Sequence, residues 1–219
     1  MREMTTNTIY VNDNEPTWAE QVKDKKFYAG SSMNLYVKNI KKAIPDIIST
    51  HVFHTNHIRP MLRYVIKKFG EEEIVGCEVG VADGKHSFNM LYHLNTLRVY
   101  MVDPWINYET AYNECKERVK QFGDRAVIIR KMSHEAINDI KDELNFVYLD
   151  ANHKYDFVKR DIELYYPLVK SGGVFGGHDF SPCTPNVARA VLELVDREGL
   201  KIHGQSSDWW VIKSGDKVK

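Results

Sequence analysis

Cysteine is scarce in this chain: Cys77, Cys115 and Cys183 are the only three in 219 residues. Odd in number and widely spaced, they form neither a zinc-type pair nor a disulfide framework, and they fit reduced thiols in a cytoplasmic setting. Net charge is missing as well, because 30 Lys and Arg face 30 Asp and Glu. A chain that grips nucleic acid by neutralising phosphates carries a basic surplus, so nucleic acid is not an expected partner. No apolar run approaches membrane-spanning length, and Met1 to Pro16 contains no apolar signal core. Repeats and low-complexity tracts are absent too. The expectation is a soluble chain without a membrane partner, one domain long, with room for a small appendage.

What is present is an alternation. Residues 1 to about 30 show weak periodicity and read as an arm or lid. Met33, Val37, Ile40 and Ile44 recur at helical spacing up to Pro45, and a second helix follows Pro60 with Leu62, Val65, Ile66 and Phe69 on one face. From Glu73 onward, strands and helices take turns. Strands are predicted over 74–79, 98–102, 126–129, 145–149 and from Gly173 to near His178-Asp179, and helices over 85–95, 110–122, 135–140, 155–166 and from Thr184-Pro185 onward. Leu200–His203 and Trp209–Ile212 close the chain as an antiparallel hairpin. The pattern predicts an α/β fold: a Rossmann-like, doubly wound, seven-stranded and mostly parallel sheet with a C-terminal antiparallel hairpin and an N-terminal helical extension. Residues 1–70 form the extension and 71–219 the catalytic domain.

The stretch Glu78-Val79-Gly80-Val81-Ala82-Asp83-Gly84 joins the first strand to a helix, where a nucleotide-binding sheet has its tight glycine turn. Glu78 stands where a dinucleotide fingerprint carries its first glycine. An acid there repels a pyrophosphate and attracts a ligand with an ammonium and a sulfonium, which points to S-adenosylmethionine. Ligands of open parallel sheets bind beyond the carboxyl ends of the strands. There the sequence puts Glu78 to Gly84, Asp103, Ser133, Asp150 to His153, and His178-Asp179.

Each of these residues carries two readings. Asp103, about 20 residues past the turn, either holds a ribose diol or starts a turn with Pro104. Ser133, with Met132, either borders an adenine or caps a helix. His86 reads as an exposed or capping residue, and Asp83 and Lys85 as solvated loop charges. Asp150, His178 and Asp179 either share a divalent ion, magnesium or manganese, or cap their loops around a core histidine. His153 points into the same cleft as a proton acceptor, so His153, Asp150 and His178 form the candidate catalytic set. Trp105, Tyr108, Tyr112 and Tyr155 are candidate acceptor contacts or packing. Trp209 and Trp210 point to opposite faces of the last strand, so one of them at most is expected in the core.

From Glu73 to Ile212 the chain resembles class I S-adenosylmethionine-dependent methyltransferases. The stretches Tyr148-Leu149-Asp150-Ala151-Asn152-His153, Tyr166 to Gly173 and Gly177-His178-Asp179-Phe180 are similar to the branch of macrocin and mycinamicin O-methyltransferases, which act on sugar hydroxyls. The resemblance implies Glu78, Gly80 and Gly84 around the methionine end of the donor, with Asp103 on the ribose. It further implies a divalent ion on Asp150 and Asp179 and His153 as the base. The branch carries an acidic pair where this chain has His178-Asp179, so His178 stands in as a nitrogen ligand or a second base. The acceptor expected is a sugar or glycan, a 6-deoxyhexose by resemblance, and a homo-oligomer is compatible with the N-terminal helices. Three rivals share parts of the pattern. A catechol or phenolic O-methyltransferase uses the same chemistry, a metal-dependent hydrolase could use the same acids, and a nicotinamide oxidoreductase would need the glycine that Glu78 displaces.

Overall fold

A computed structural model describes residues 58–181 and 183–215. The predicted arm, the Met33–Ile44 helix and the loop up to His57 lie outside the described residues. The first described helix is α1 (Pro60–Phe69). Its proline occupies the first turn, where no backbone N–H is missed, and Lys67 and Lys68 sit in the last turn, where the helix dipole favours cations. Met61, Leu62, Val65 and Phe69 are buried on one stripe. That stripe packs into the same apolar cluster as β-strand residues Val99, Met101, Phe146 and Trp210. The helix is therefore built onto the sheet rather than standing apart from it.

The alternation predicted from residue 73 is present. It runs β1 (Ile74–Val79), α2 (Lys85–His93), β2 (Leu97–Val102), α3 (Glu109–Val119), β3 (Ala126–Ile129), α4 (Ser133–Ala136), β4 (Leu144–Leu149), α5 (Tyr155–Tyr165), β5 (Val169–Gly177), α6 (Pro185–Glu198), β6 (Ile202–Gln205) and β7 (Asp208–Ile212). One sheet of seven strands has the order β3-β2-β1-β4-β5-β7-β6. The first five are parallel, while β7 runs antiparallel to both β5 and β6. The order reverses between β1 and β4, so the carboxyl ends of those two strands open the crevice in which such sheets bind ligands.

Both faces are covered, and side chains alternate between them. Cys77, Val79, Val147, Leu149, Phe175 and Trp209 face one apolar layer together with α5 and α6. Met101, Phe146, Tyr148, Val174 and Trp210 face the other, together with α1 and α2. Gly76 belongs to this second face, and a Cβ there would lie 2.3 Å from the Phe146 ring, so the glycine lets that ring cross β1. The double layer also corrects the expectation for the tryptophan pair: Trp209 and Trp210 are both buried, each 1% exposed. A strand between two helical layers has no solvent face to send the second indole to.

Two predicted elements change length. The 135–140 helix is a single turn, α4, continued as a 3-10 turn over Ile137–Asp139. Strand β5 begins at Val169 rather than Gly173, with an irregularity in its register against β4 opposite the Gly172-Gly173 pair. Glycines read as turn formers, and here a positive φ at Gly172 serves a break inside a paired strand. Among the described residues, no helix is long and apolar enough to cross a membrane.

Candidate active site

The glycine turn after β1 is held by its neighbours' backbones. Gly80 has a φ of 91°, and its N–H donates to Val102 O at 2.8 Å. A Cβ on Gly80 would stand 2.2 Å from Asp150 O, so only glycine lets the ends of β1 and β4 meet this closely. Gly84, with a φ of 78°, opens α2 against Cys115, whose sulfur would lie 2.8 Å from an added Cβ. Asp103 faces this turn from the end of β2. Its Oδ2 accepts from the N–H groups of Val81 and Ala82, each at 3.0 Å, and its Oδ1 accepts from Trp105 N at 2.8 Å. A carboxylate has about four acceptor positions, so one remains for a ligand hydroxyl. Asp103 thus performs the turn-building role.

Glu78 lies lower than its place in the sequence suggested. It is 1% exposed and points from β1 to the α2 face. Its Oε1 sits 2.9 Å from His86 Nδ1, and its Oε2 accepts a hydrogen bond from the Ser87 hydroxyl. The acid therefore underlies the turn instead of lining its mouth. His86 is buried as well, against the expected exposed or capping position, with its ring 4.3 Å from the Tyr148 ring. Asp83 pairs with Lys85 at 2.5 Å. Ser133 donates its hydroxyl to buried Asp161 at 2.6 Å and is 8% exposed, while Met132 holds the cap position. This leaves the Ser133 hydroxyl turned to Asp161 and α5, not to an adenine.

On the far side of Gly80 the polar residues after β4 and β5 converge. His153 Nε2 lies 2.9 Å from Asp179 Oδ2 and 3.9 Å from Asp150 Oδ1. His178 Nδ1 lies 3.2 Å from the same Asp179 Oδ2. Three groups that sequence reading did not single out complete the cluster. Arg59, one residue before α1, donates through one nitrogen to Asp150 Oδ2 at 2.7 Å and to the Tyr148 hydroxyl at 2.6 Å. Tyr148 donates to Asp208 Oδ1 at 2.8 Å, and Asp208 Oδ1 is 4.0 Å from His178 Nε2. Arginine, aspartate, histidine, aspartate, histidine and aspartate thus alternate around a ring that Tyr148 closes. Little in the sequence betrays the three. Arg59 precedes a helix proline, Tyr148 reads as a core aromatic of β4, and Asp208 reads as a hairpin turn residue.

The ring sets the charge states of its members. Asp150 and Asp179, flanking His153, raise its pKa to about 10. Burial alone would raise both carboxyls, but His153 together with Arg59 for Asp150, and with His178 for Asp179, holds them below the usual range. Burial works against the Arg59 charge too, yet Tyr148, Asp150 and Asp208 raise its pKa. Asp208, fully enclosed, is pushed up by burial. Asp150 and Asp179 thus favour the protonated form of His153, whose Nε2 faces both.

The donor chemistry of this cluster fits a divalent ion. Asp150, His153 and Asp179 each offer one ligand atom, all within 4.8 Å of one another. Asp150 and Asp179 are two of the three expected ligands; the third, His178, lies outside this group, with its Nδ1 3.2 Å from Asp179 Oδ2. Oxygen donors with an imidazole nitrogen suit magnesium less than manganese. A cleft opens beside the cluster, bordered by Asp150, His153, Val158, His178, Val187 and Trp209. Of the four aromatics proposed as acceptor contacts, three have structural partners. Trp105 is buried with its indole N–H on Ala82 O, Tyr112 lies under the Arg130 guanidinium, and Tyr155 donates to Glu193. Tyr108 is 70% exposed beside exposed Ile106.

Comparison with known proteins agrees with this architecture. Residues 77–180 match a family model described as a methyltransferase domain. An uncharacterised protein of Acanthamoeba polyphaga mimivirus is 27% identical over 164 residues, covering 70% of this chain and 73% of its own. Among solved structures, a candidate caffeoyl-CoA O-methyltransferase of Staphylococcus aureus aligns with a TM-score of 0.59 at 16% identity, over 90% of this chain and 99% of that one. A TDP-rhamnose 3'-O-methyltransferase of calicheamicin biosynthesis aligns with a TM-score of 0.58 at 12% identity, over 87% and 99%. An O-methyltransferase of Bacillus cereus, solved with S-adenosylhomocysteine, gives 0.55 at 13% identity over 90% and 96%. At such identities the structural likeness speaks to the fold. Together with the family match over residues 77–180, it supports a methyltransferase domain on this fold.

Proposed function

We propose that the chain is an O-methyltransferase that moves the methyl group of S-adenosylmethionine to a sugar hydroxyl, with a divalent ion at Asp150 and Asp179 and His153 as proton acceptor. One observation carries the reading: Gly80 of the donor turn and Asp150 of the acid–histidine cluster meet backbone to backbone. A donor seated in the turn therefore has the cluster as its immediate neighbour. The sugar, a 6-deoxyhexose on a glycan or a glycosylated metabolite, follows from the resemblance in the Tyr148–His153 and Gly177–Phe180 stretches.

Bound by Asp150 and Asp179, a divalent ion would supply the positive charge that orients an aliphatic hydroxyl and lowers its pKa. The chain's own residues do the rest. Gly80, Gly84 and Asp103 hold the donor, with Glu78 acting from beneath the turn through its charge and through α2. His153, the more exposed of the two cluster histidines, has its Nε2 beside Asp150 and Asp179 and would accept the hydroxyl proton there in its neutral form. The new O–C bond forms as the S–C bond breaks, leaving S-adenosylhomocysteine. Because sulfonium charge vanishes along this path, catalysis rests on alignment and proton removal more than on added anions.

The test has two stages. Thermal shifts with S-adenosylmethionine, S-adenosylhomocysteine, NAD and ATP, each with and without magnesium or manganese, should show selective stabilisation by the first two. Labelled methyl transfer should then favour deoxysugar glycosides over catechols. Turnover of catechols alone moves the acceptor to the phenolic class. Hydrolysis of an ester without the donor overturns the reading.

A further inference from the structure

Asp179 is the one cluster residue with a left-handed backbone, at a φ of 61°. Aspartate tolerates that region better than most side chains, but the conformation persists only where the surroundings enforce it. Here they do. The peptide joining Asp179 to Phe180 is pinned at both of its polar atoms: Phe180 N donates to Ser207 O at 3.0 Å, and Asp179 O accepts from the Thr184 hydroxyl. On the other side of Asp179, His178 N donates to Leu149 O at 3.0 Å. Thr184 stands at the N-cap of α6, where a threonine hydroxyl ordinarily accepts from an N–H of the first helical turn. No such bond forms, and the hydroxyl turns back to Asp179 instead. It is itself held from behind. Having given its proton to Asp179 O, Thr184 Oγ1 accepts from Ser181, whose Oγ is 2.9 Å away and accepts in turn from Cys183 N at 3.2 Å. Three hydrogen bonds therefore run in one direction and end on the Asp179 carbonyl, an order in which each bond polarises the next.

We propose that Thr184 is a positioning residue: its hydroxyl fixes the Asp179–Phe180 peptide, and through it the backbone that puts the Asp179 carboxylate beside His153 and His178. From that backbone Asp179 Oδ2 lies 2.9 Å from His153 Nε2 and 3.2 Å from His178 Nδ1. With its carbonyl released, the peptide can turn and Asp179 relaxes towards negative φ, which swings the carboxylate off both histidines. The first turn of α6 goes without its usual side-chain cap to supply this hold. The inference rests on the place given to Asp179 in the proposed function, and it needs no ion in the cluster.

The experiment compares the full chain with Thr184→Val, which keeps the shape and loses the hydroxyl, and Thr184→Ser, which keeps the hydroxyl. Two readouts are taken: the backbone NMR shifts of Asp179, which distinguish a left-handed residue from any other, and the kcat of labelled methyl transfer to deoxysugar glycosides. Thr184→Val should move the Asp179 shifts out of the left-handed range. It should also lower kcat about a hundredfold, the loss that a misplacement of about 1 Å brings, with the donor KM unchanged. Thr184→Ser should keep the shifts and stay within about threefold of wild type in kcat. Added to Asp179→Asn, Thr184→Val should lower kcat no further, because both act through one carboxylate. Left-handed shifts retained in Thr184→Val overturn the inference, as does a failure of Thr184→Ser to restore them. An equal fall in kcat with and without the Asp179 carboxylate makes Thr184 a prop of α6 and overturns it too. If Thr184→Val does not fold, Ser181→Ala takes its place, and unmoved Asp179 shifts there overturn the inference. Shifts that move as expected while Asp179→Asn turns over like wild type support the hold by Thr184 and remove the role given to Asp179 above.

Discussion

The two halves of the crevice are built on different physics. The glycine turn is held by main-chain geometry: Gly80 and Gly84 take left-handed conformations, and Asp103 accepts from three backbone N–H groups within 22 residues of it. The acid–histidine cluster is held by polar and charged side chains drawn from distant segments, with Arg59 reaching Asp150 across 91 residues and Tyr148 reaching Asp208 across 60. The first half is a local mould whose shape fails if a single Cβ is added. The second is a balance of charges that tolerates shape changes but answers to pH, salt and added cations. The contrast can be broken from either side.

The largest effect should come from Gly80→Val. A side chain at a φ of 91° costs about 1–3 kcal/mol in backbone strain, and the Cβ collides with Asp150 O. Donor-induced thermal stabilisation and turnover should both vanish. Retained donor binding would show that the two strand ends need not touch. Next, His153→Ala should lower kcat by about 10²–10⁴-fold, the usual contribution of a general base, and leave the donor dissociation constant within about twofold. Equal loss of both removes the base assignment.

Arg59→Met should destabilise the fold by roughly 1.5–3 kcal/mol, the range for a hydrogen bond to a charged group, read by urea denaturation. Because it frees Asp150 Oδ2, Mn2+ should restore part of that loss. A variant as stable as wild type would make Arg59 a bystander.

The pH dependence follows from the raised His153 and the lowered Asp179. A histidine whose folded pKa is about 10 against 6.5 contributes stability that is complete below pH 6.5 and is lost as pH climbs towards 10. A carboxylate held below 3.8 contributes stability present above that pH and lost as pH falls through its lowered value. Without divalent ions, the stability gap between wild type and His153→Gln should therefore be widest between about pH 4 and 6.5 and close by pH 10. A gap that widens towards pH 10 reverses the assignment. Saturating Mn2+ should flatten the profile. The smallest effect should be Ser133→Ala, which deprives Asp161 of a donor at a cost of about 1 kcal/mol and leaves donor affinity unchanged. A fall in affinity would return Ser133 to the adenine site.

How much of this was readable in advance divides along the same line. Strand β1, the glycine turn and the helix after it follow from apolar runs and glycine spacing, which are local signals. The positions of Asp150, His153 and Asp179 followed from one rule, that ligand-binding residues gather at the carboxyl ends of parallel strands. Glu78 shows the limit of that rule. Its place at the end of β1 was right, but alternation along the strand turned its carboxylate down to His86 and Ser87. Arg59, Tyr148 and Asp208 were missed because each looks ordinary beside its sequence neighbours, as a residue before a helix proline, a strand aromatic and a turn acid. Trp209 and Trp210 were misread because strand alternation predicts opposite faces and not what covers each face.

By itself, the sequence determined the alternating layers, the glycine turn and the set of acids and histidines available at the strand ends. Periodicity and glycine conformational freedom act over a few residues and leave a direct trace in the chain. Which of those groups touch was decided only in the folded molecule. The inserted strand β7 carries Asp208 under His178, and helix α1 brings Arg59 to Asp150. Coulomb attraction acts through space, so its partners are chosen by packing and not by order along the chain.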